Sequence, residues 1–105
     1  MELIKENIKV EWDDIGEGIC GDYDPNDPDD IPLLRFYVSK RENENSDWED
    51  VEDASYCTRF CAEASEKKQM AALKVIMDMV YDYIIAEYSI KKICEELSWI
   101  SDEDF

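Results

Sequence analysis

The chain contains no histidine, and that absence closes off more chemistry than any motif opens. It removes Ser-His-Asp and Cys-His nucleophilic catalysis and every metal site that needs an imidazole ligand. Positive charge is also scarce: 11 Lys and Arg stand against 28 Asp and Glu, for a formal net charge of -17. Such a surface repels DNA, RNA and anionic membranes. No stretch is long and apolar enough to cross a bilayer. The N-terminal residues MELIKENIKVEW hold no apolar signal core, so the expected compartment is the cytoplasm, where cysteines stay reduced. Neither a Gly-rich phosphate loop nor a nucleophile motif occurs.

Glycine and proline are few, three of each, and their placement is uneven. All three glycines and two of the prolines fall in the twenty residues from Glu11 to Asp30, EWDDIGEGICGDYDPNDPDD. Nine of those twenty are Asp or Glu and none is Lys or Arg. A segment that acidic cannot form a core. It is a solvated loop, a metal cradle or a surface shaped for a positively charged partner.

The remaining composition is that of a folded protein. With 105 residues, 45% of them hydrophobic and 11% aromatic, the chain reads as a single domain, residues 1–105, that buries roughly 60–70% of its unfolded surface. A charge of -17 exceeds the magnitude of about 2–8 that solubility requires of a small domain. The excess implies a basic partner.

Read in order, residues 1–7 form a polar lead-in. Ile8, Val10 and Trp12 alternate with Lys9, Glu11 and Asp13, which predicts a strand over 7–14. Residues 16–32 form a long loop in which Gly16, Gly18 and Gly21 permit positive φ and the repeated Asp-Pro dipeptides at 24–25 and 27–28 start turns. LLRFYVS (33–39) is a second strand, with Leu34, Phe36 and Val38 on one face. After a polar hairpin loop at 40–47, residues 48–56 form a third strand at an edge, with Trp48, Asp50 and Glu52 on one face and Glu49, Val51 and Asp53 on the other. Residues 57–64 fit either a strand end or a link. From Ser65, a cap residue, Met70, Leu73, Ile76, Met77, Val80, Tyr81 and Ile84 follow helical spacing to about residue 87. Met79 and Tyr83 read as flanks of that core. A shorter helix, capped by Ser89, buries Ile90, Ile93, Cys94 and Leu97 and closes on Trp99 or Ile100. The expected fold class is therefore α+β: a three-stranded antiparallel sheet followed by two helices packed on one face (βββαα). Residues 8–56 make an acidic β-meander and residues 65–100 a helical layer.

Three chemical readings compete for the acidic and cysteine residues. Asp22, Asp24 and Asn26 imitate the start of a calcium loop, but Asp27 stands where glycine is needed and Leu33 where a bidentate Glu is needed. Cys57 and Cys61 are spaced C-x3-C, a zinc-ligand spacing, while Cys20 and Cys94 are isolated; zinc would require the loop, the third strand and the last helix to converge. Paired carboxylates are too abundant to mark a catalytic couple, and a domain of this size has little room for a cleft. A non-enzymatic protein is expected, with no cofactor, and a zinc-stabilised interaction module is the alternative.

The remaining pattern is the distribution of acid. The loop supplies Glu17, Asp22, Asp24, Asp27, Asp29 and Asp30; the third strand and its approach supply Asp47, Glu49, Asp50, Glu52 and Asp53. Alternate carboxylates on a strand lie roughly 6.5–7 Å apart, a scale comparable to phosphates spaced about 3.4 Å along a nucleic-acid strand. Such a row could enter a groove lined with Lys and Arg. Trp12, Tyr23 and Trp48 are candidate aromatic anchors beside it. The opposing reading is a solvated acidic face with no such partner. In size, acidity, lack of histidine and acid-lined strands beside helices, the chain resembles the phage and mobile-element inhibitors that mimic DNA, among them anti-CRISPR proteins against Cas9 and anti-restriction proteins. The runs GEGICGDYDPNDPDDIPLLRFYV and WEDVEDASYCT carry that resemblance over about half the chain. It implies a monomeric inhibitor in the host cytoplasm that occupies the basic groove of a nucleic-acid-binding protein such as a Cas nuclease. It assigns no contact residue.

Overall fold

A computed structural model describes residues 1–105. The fold is α+β, with an antiparallel sheet of five strands rather than three. The strands are β1 (Glu2–Lys5), β2 (Ile8–Gly18), β3 (Gly21–Asp22), β4 (Leu33–Lys40) and β5 (Glu49–Cys61). They are followed by α1 (Glu66–Ile85), α2 (Lys91–Leu97) and a 3-10 turn at Asp102–Asp104. Strand order is β1-β2-β4-β5, with β3 also paired to β2.

Both additional strands extend β2. The lead-in folds back as β1, placing Leu3 opposite Val10 and Ile4 opposite Lys9. Glu6, at φ 55, makes the turn. The first predicted strand runs on to Gly18, past a register shift between Asp14 and Glu17 where Gly16 takes φ 81, a conformation that suits a residue without Cβ. It then reverses through Ile19 and Cys20 into β3. Residues 57–61 resolve as strand. Thr58 and Phe60 point inward, and the buried Thr58 hydroxyl donates to Leu34 O at 2.8 Å.

One face of the sheet carries the core. Ile8, Val10, Trp12, Leu34, Phe36, Val38, Ala54 and Phe60 pack against Leu73, Ile76, Met77 and Val80 of α1 and Ile93, Cys94 and Leu97 of α2. The helical period read from the sequence is the one buried, and the helices cover one face of the sheet. Ser65 caps α1 by accepting from Lys68 N at 3.3 Å. The expected cap of the second helix is displaced: Ile90, not Ser89, is the N-cap, and no side chain caps that end. Beyond α2, helical spacing from Leu97 carries Ile100 inward. Trp99 is left outside, 70% exposed.

Candidate acidic interface

The loop from Ile19 to Pro32 is ordered by its own aspartates. Asp24-Pro25-Asn26-Asp27 and Asp27-Pro28-Asp29-Asp30 are two consecutive turns, closed by Asp27 N donating to Asp24 O (3.1 Å) and Asp30 N to Asp27 O (3.2 Å). In each, proline presets φ at the second position. The leading carboxylate accepts from the backbone two residues on: Asn26 N to Asp24 Oδ1 and Asp29 N to Asp27 Oδ1, both at 2.9 Å.

Asp30 ends the series and turns inward. Its carboxylate accepts from Asp24 N and Ile19 N (both 2.9 Å) and from Ile31 N (3.0 Å). The hydrogen bonds from Asp24 and Ile19 hold its carboxyl below the usual aspartate range. Gly18 makes this possible by space rather than by φ. A Cβ there would sit 2.5 Å from Asp30 Oδ2.

Glu17 also serves the fold. It accepts from Arg35 Nη2 at 3.0 Å and from Arg35 Nε at 3.2 Å. That pairing lowers its pKa against the opposing effect of burial. Arg35 continues to Ser55 O (3.0 Å), so one guanidinium ties β2, β4 and β5 together. Asp22, Asp24, Asp27 and Asp29 remain exposed.

The second acidic group differs from the straight row expected. Tyr37 pairs with Ser55 but Ser39 with Asp50, so β5 bulges between them, and Asp53 takes φ 59. Asp47, Glu49, Asp50, Glu52 and Asp53 are all exposed. Asp50 alone has a close partner, accepting from Ser39 Oγ at 3.4 Å. A bulge breaks the alternation that would space the carboxylates evenly.

The two acidic groups sit at opposite ends of the sheet. Leu33 pairs with Cys61 beside the loop, and Lys40 pairs with Glu49 at the far end. Seven residue steps of β4 separate them by roughly 23 Å at about 3.3 Å per step. They form two acidic ends of one elongated body whose principal extents are 45 × 25 × 24 Å.

Cations are used elsewhere. Only two ion pairs form, Lys9–Glu11 at 3.9 Å and Arg35–Glu17 at 3.0 Å, which leaves 26 of the 28 acidic side chains without one (28 minus 2). Four cations, Lys9 among them, also lie on aromatic rings. Lys5 sits over Tyr81 (4.1 Å) and Arg59 over Trp99 (5.3 Å), while Lys9 (4.9 Å) and Arg41 (4.3 Å) both sit over Trp48.

Those contacts revise the aromatic anchors. Trp48 is half-buried beneath its two cations, Trp12 lies in the core packed at a tilt against Phe60, and Tyr23 is half-buried. The exposed tryptophan is Trp99, which the helical period marks as outward: Ile93 and Leu97 continue to position 100, not 99. It rims a cavity of about 360 Å³ that Glu17, Asp22, Leu33, Cys57 and Arg59 also line.

The cysteines do not assemble a zinc site. Cys20 is exposed in the β2–β3 turn, and Cys94 lies on the buried face of α2. Cys57 has its thiol pushed up to about 11, by burial first and by Glu17 second. No three His, Cys, Asp or Glu side chains converge as ligands. Cys57 and Cys61 share β5 but gain no third donor.

The chain matches no protein-family model, no curated protein and no solved structure.

Proposed function

We propose that this protein is a non-enzymatic inhibitor that occupies the basic nucleic-acid channel of a host defence nuclease, a guide-loaded Cas9-type effector being the first candidate. The observation that supports the reading is linear charge density. A net charge of -17 along a 45 Å body is one net charge per about 2.6 Å (45 divided by 17). Duplex DNA carries one per about 1.7 Å of axis with both strands counted, and one per about 3.4 Å for each strand. The protein falls between them.

Local arrangement supports the same reading. Of the 11 cations only Lys9 and Arg35 meet a carboxylate, so most of the acidic surface is left without a neutralising partner. Asp22, Asp24, Asp27 and Asp29 offer one anionic end and Asp47, Glu49, Asp50, Glu52 and Asp53 the other. A groove that follows a nucleic-acid backbone could engage both. Complementary fields of this kind speed encounter and suppress wrong partners.

Cleavage of target DNA by guide-loaded Cas9, with the protein added at low and moderate salt, tests the proposal. Inhibition that weakens as salt rises, and that falls when residues 47–53 are charge-reversed, is expected. Inhibition insensitive to salt would place the contact on apolar groups and reject mimicry as the mechanism.

A further inference from the structure

The chain contains two tryptophans that meet cations, and the two are unequally covered. Trp48 has Lys9 and Arg41 over its ring and is half-buried. Trp99 has only Arg59 and remains 70% exposed. It projects from the turn after α2, where Ser98 N and Ile100 N close on Cys94 O and Leu97 O, so the backbone that carries it is fixed. An exposed indole held on a rigid turn beside a cavity has the character of an interface anchor.

From this we infer that Trp99 and the adjoining cavity form the seat for an arginine side chain of the partner, with the guanidinium completing on Trp99 the arrangement that Lys9 and Arg41 complete on Trp48. The inference rests on the reading of the partner as a basic groove. Three features select the occupant. The indole face attracts a cation, and a planar guanidinium stacks on it where an ammonium cannot. Asp22, exposed and without an ion pair, stands in the cavity lining to accept the guanidinium N–H groups. Ile19, exposed in the cavity lining, offers apolar surface to the arginine stem. Arg59 does not exclude a second cation: Trp48 already holds two within 5 Å of its ring, and the net charge of -17 lowers the free energy of bringing a cation to this surface.

The site also supplies a polarity that acid alone lacks. Carboxylates at both ends of the body would accept a basic groove in either direction. A single stacking seat at the loop end favours one.

Nona-arginine and nona-lysine serve as probes for the intact protein. Titration is followed by fluorescence, with acrylamide quenching reporting the exposed indole. Nona-arginine should bind more tightly than nona-lysine and shield one tryptophan from acrylamide. Trp99→Ala should lose that shielding and weaken nona-arginine binding roughly threefold to thirtyfold, with a smaller loss for nona-lysine. Asp22→Asn should weaken nona-arginine binding and leave the unfolding midpoint in place. Equal nona-arginine affinity in wild type and Trp99→Ala, with measurable binding in both, would overturn the inference and leave the basic-partner reading standing. Failure of both peptides to bind the wild type at low salt would overturn the two together.

Discussion

Replacement of Trp12 separates a core role from an interface role. Its side chain is 1% exposed and packs at a tilt against Phe60, with ring centroids 4.9 Å apart. Its indole Nε1 is buried with no acceptor. Trp12→Ala removes the whole ring, and truncations of this class cost about 3–5 kcal/mol. Against a total stability of about 5–15 kcal/mol, that is a large share. With a urea m-value near 2 kcal/mol per molar, the midpoint should fall by roughly 2 M. Trp12→Phe removes about two methylene equivalents, near 1.6 kcal/mol at about 0.8 each. It also removes an unpaired N–H whose burial costs about 1–3 kcal/mol. The two effects offset, so Trp12→Phe should stay within about 1 kcal/mol of wild type. Urea unfolding followed by far-UV circular dichroism measures both. An unchanged midpoint in Trp12→Ala would place the residue outside the core. A Trp12→Phe loss as large as that of Trp12→Ala would refute the offset.

The other expectations concern the loop, the Arg35 brace and the thiols. Gly18→Ala should drive the Asp30 carboxylate off its three amides, seen as faster hydrogen exchange at Ile19 and Asp24; unchanged exchange would contradict the close approach at 2.5 Å. Because the folded pKa of Asp30 lies below its ordinary value, its contribution is complete above that ordinary value, 3.8, and is lost as pH falls through the depressed folded pKa. The same amides should therefore stay protected at pH 5 and lose protection only in stronger acid. Arg35→Met should lower stability by about 1 kcal/mol, since the pair is bidentate but partly solvated, and should return the Glu17 pKa toward its ordinary value, readable by NMR titration. At pH 8, Cys20 should react first with a thiol reagent. Cys57 and Cys94, both raised to about 11 chiefly by burial, hold only about one thiolate in a thousand at that pH and should react slowly until the protein unfolds.

Periodicity made much of this fold readable. Ile8, Val10 and Trp12, then Leu34, Phe36 and Val38, then the Leu73–Val80 stripe are all buried where their spacing placed them. What escaped had physical reasons. In β1, Leu3 is the one residue that packs on the core, and its turn is made by Glu6 rather than by an Asn-Gly pair. The inward Thr58 hid the continuation of β5 because it is polar, and it is tolerated only through its bond to Leu34 O. The bulge at Asp53 has no glycine to announce it. Within the acidic surface, the exposed carboxylates at 22–29 and 47–53 were legible as a group. Composition could not distinguish Glu17 and Asp30, which hold the fold together, from neighbours that face solvent. Only geometry identifies Asp30 as the acceptor of three amides, whereas the Ile93–Leu97 spacing, carried on to position 100, already sets Trp99 outside.

The central claim is that this protein and nucleic acid seek the same groove. Displacement of a labelled target duplex from guide-loaded Cas9, followed by fluorescence anisotropy between about 50 and 200 mM salt, tests it most directly. The account predicts mutually exclusive binding, with the affinity of the protein falling steeply as salt rises. Simultaneous binding of protein and duplex, or an affinity that does not change with salt, would contradict it.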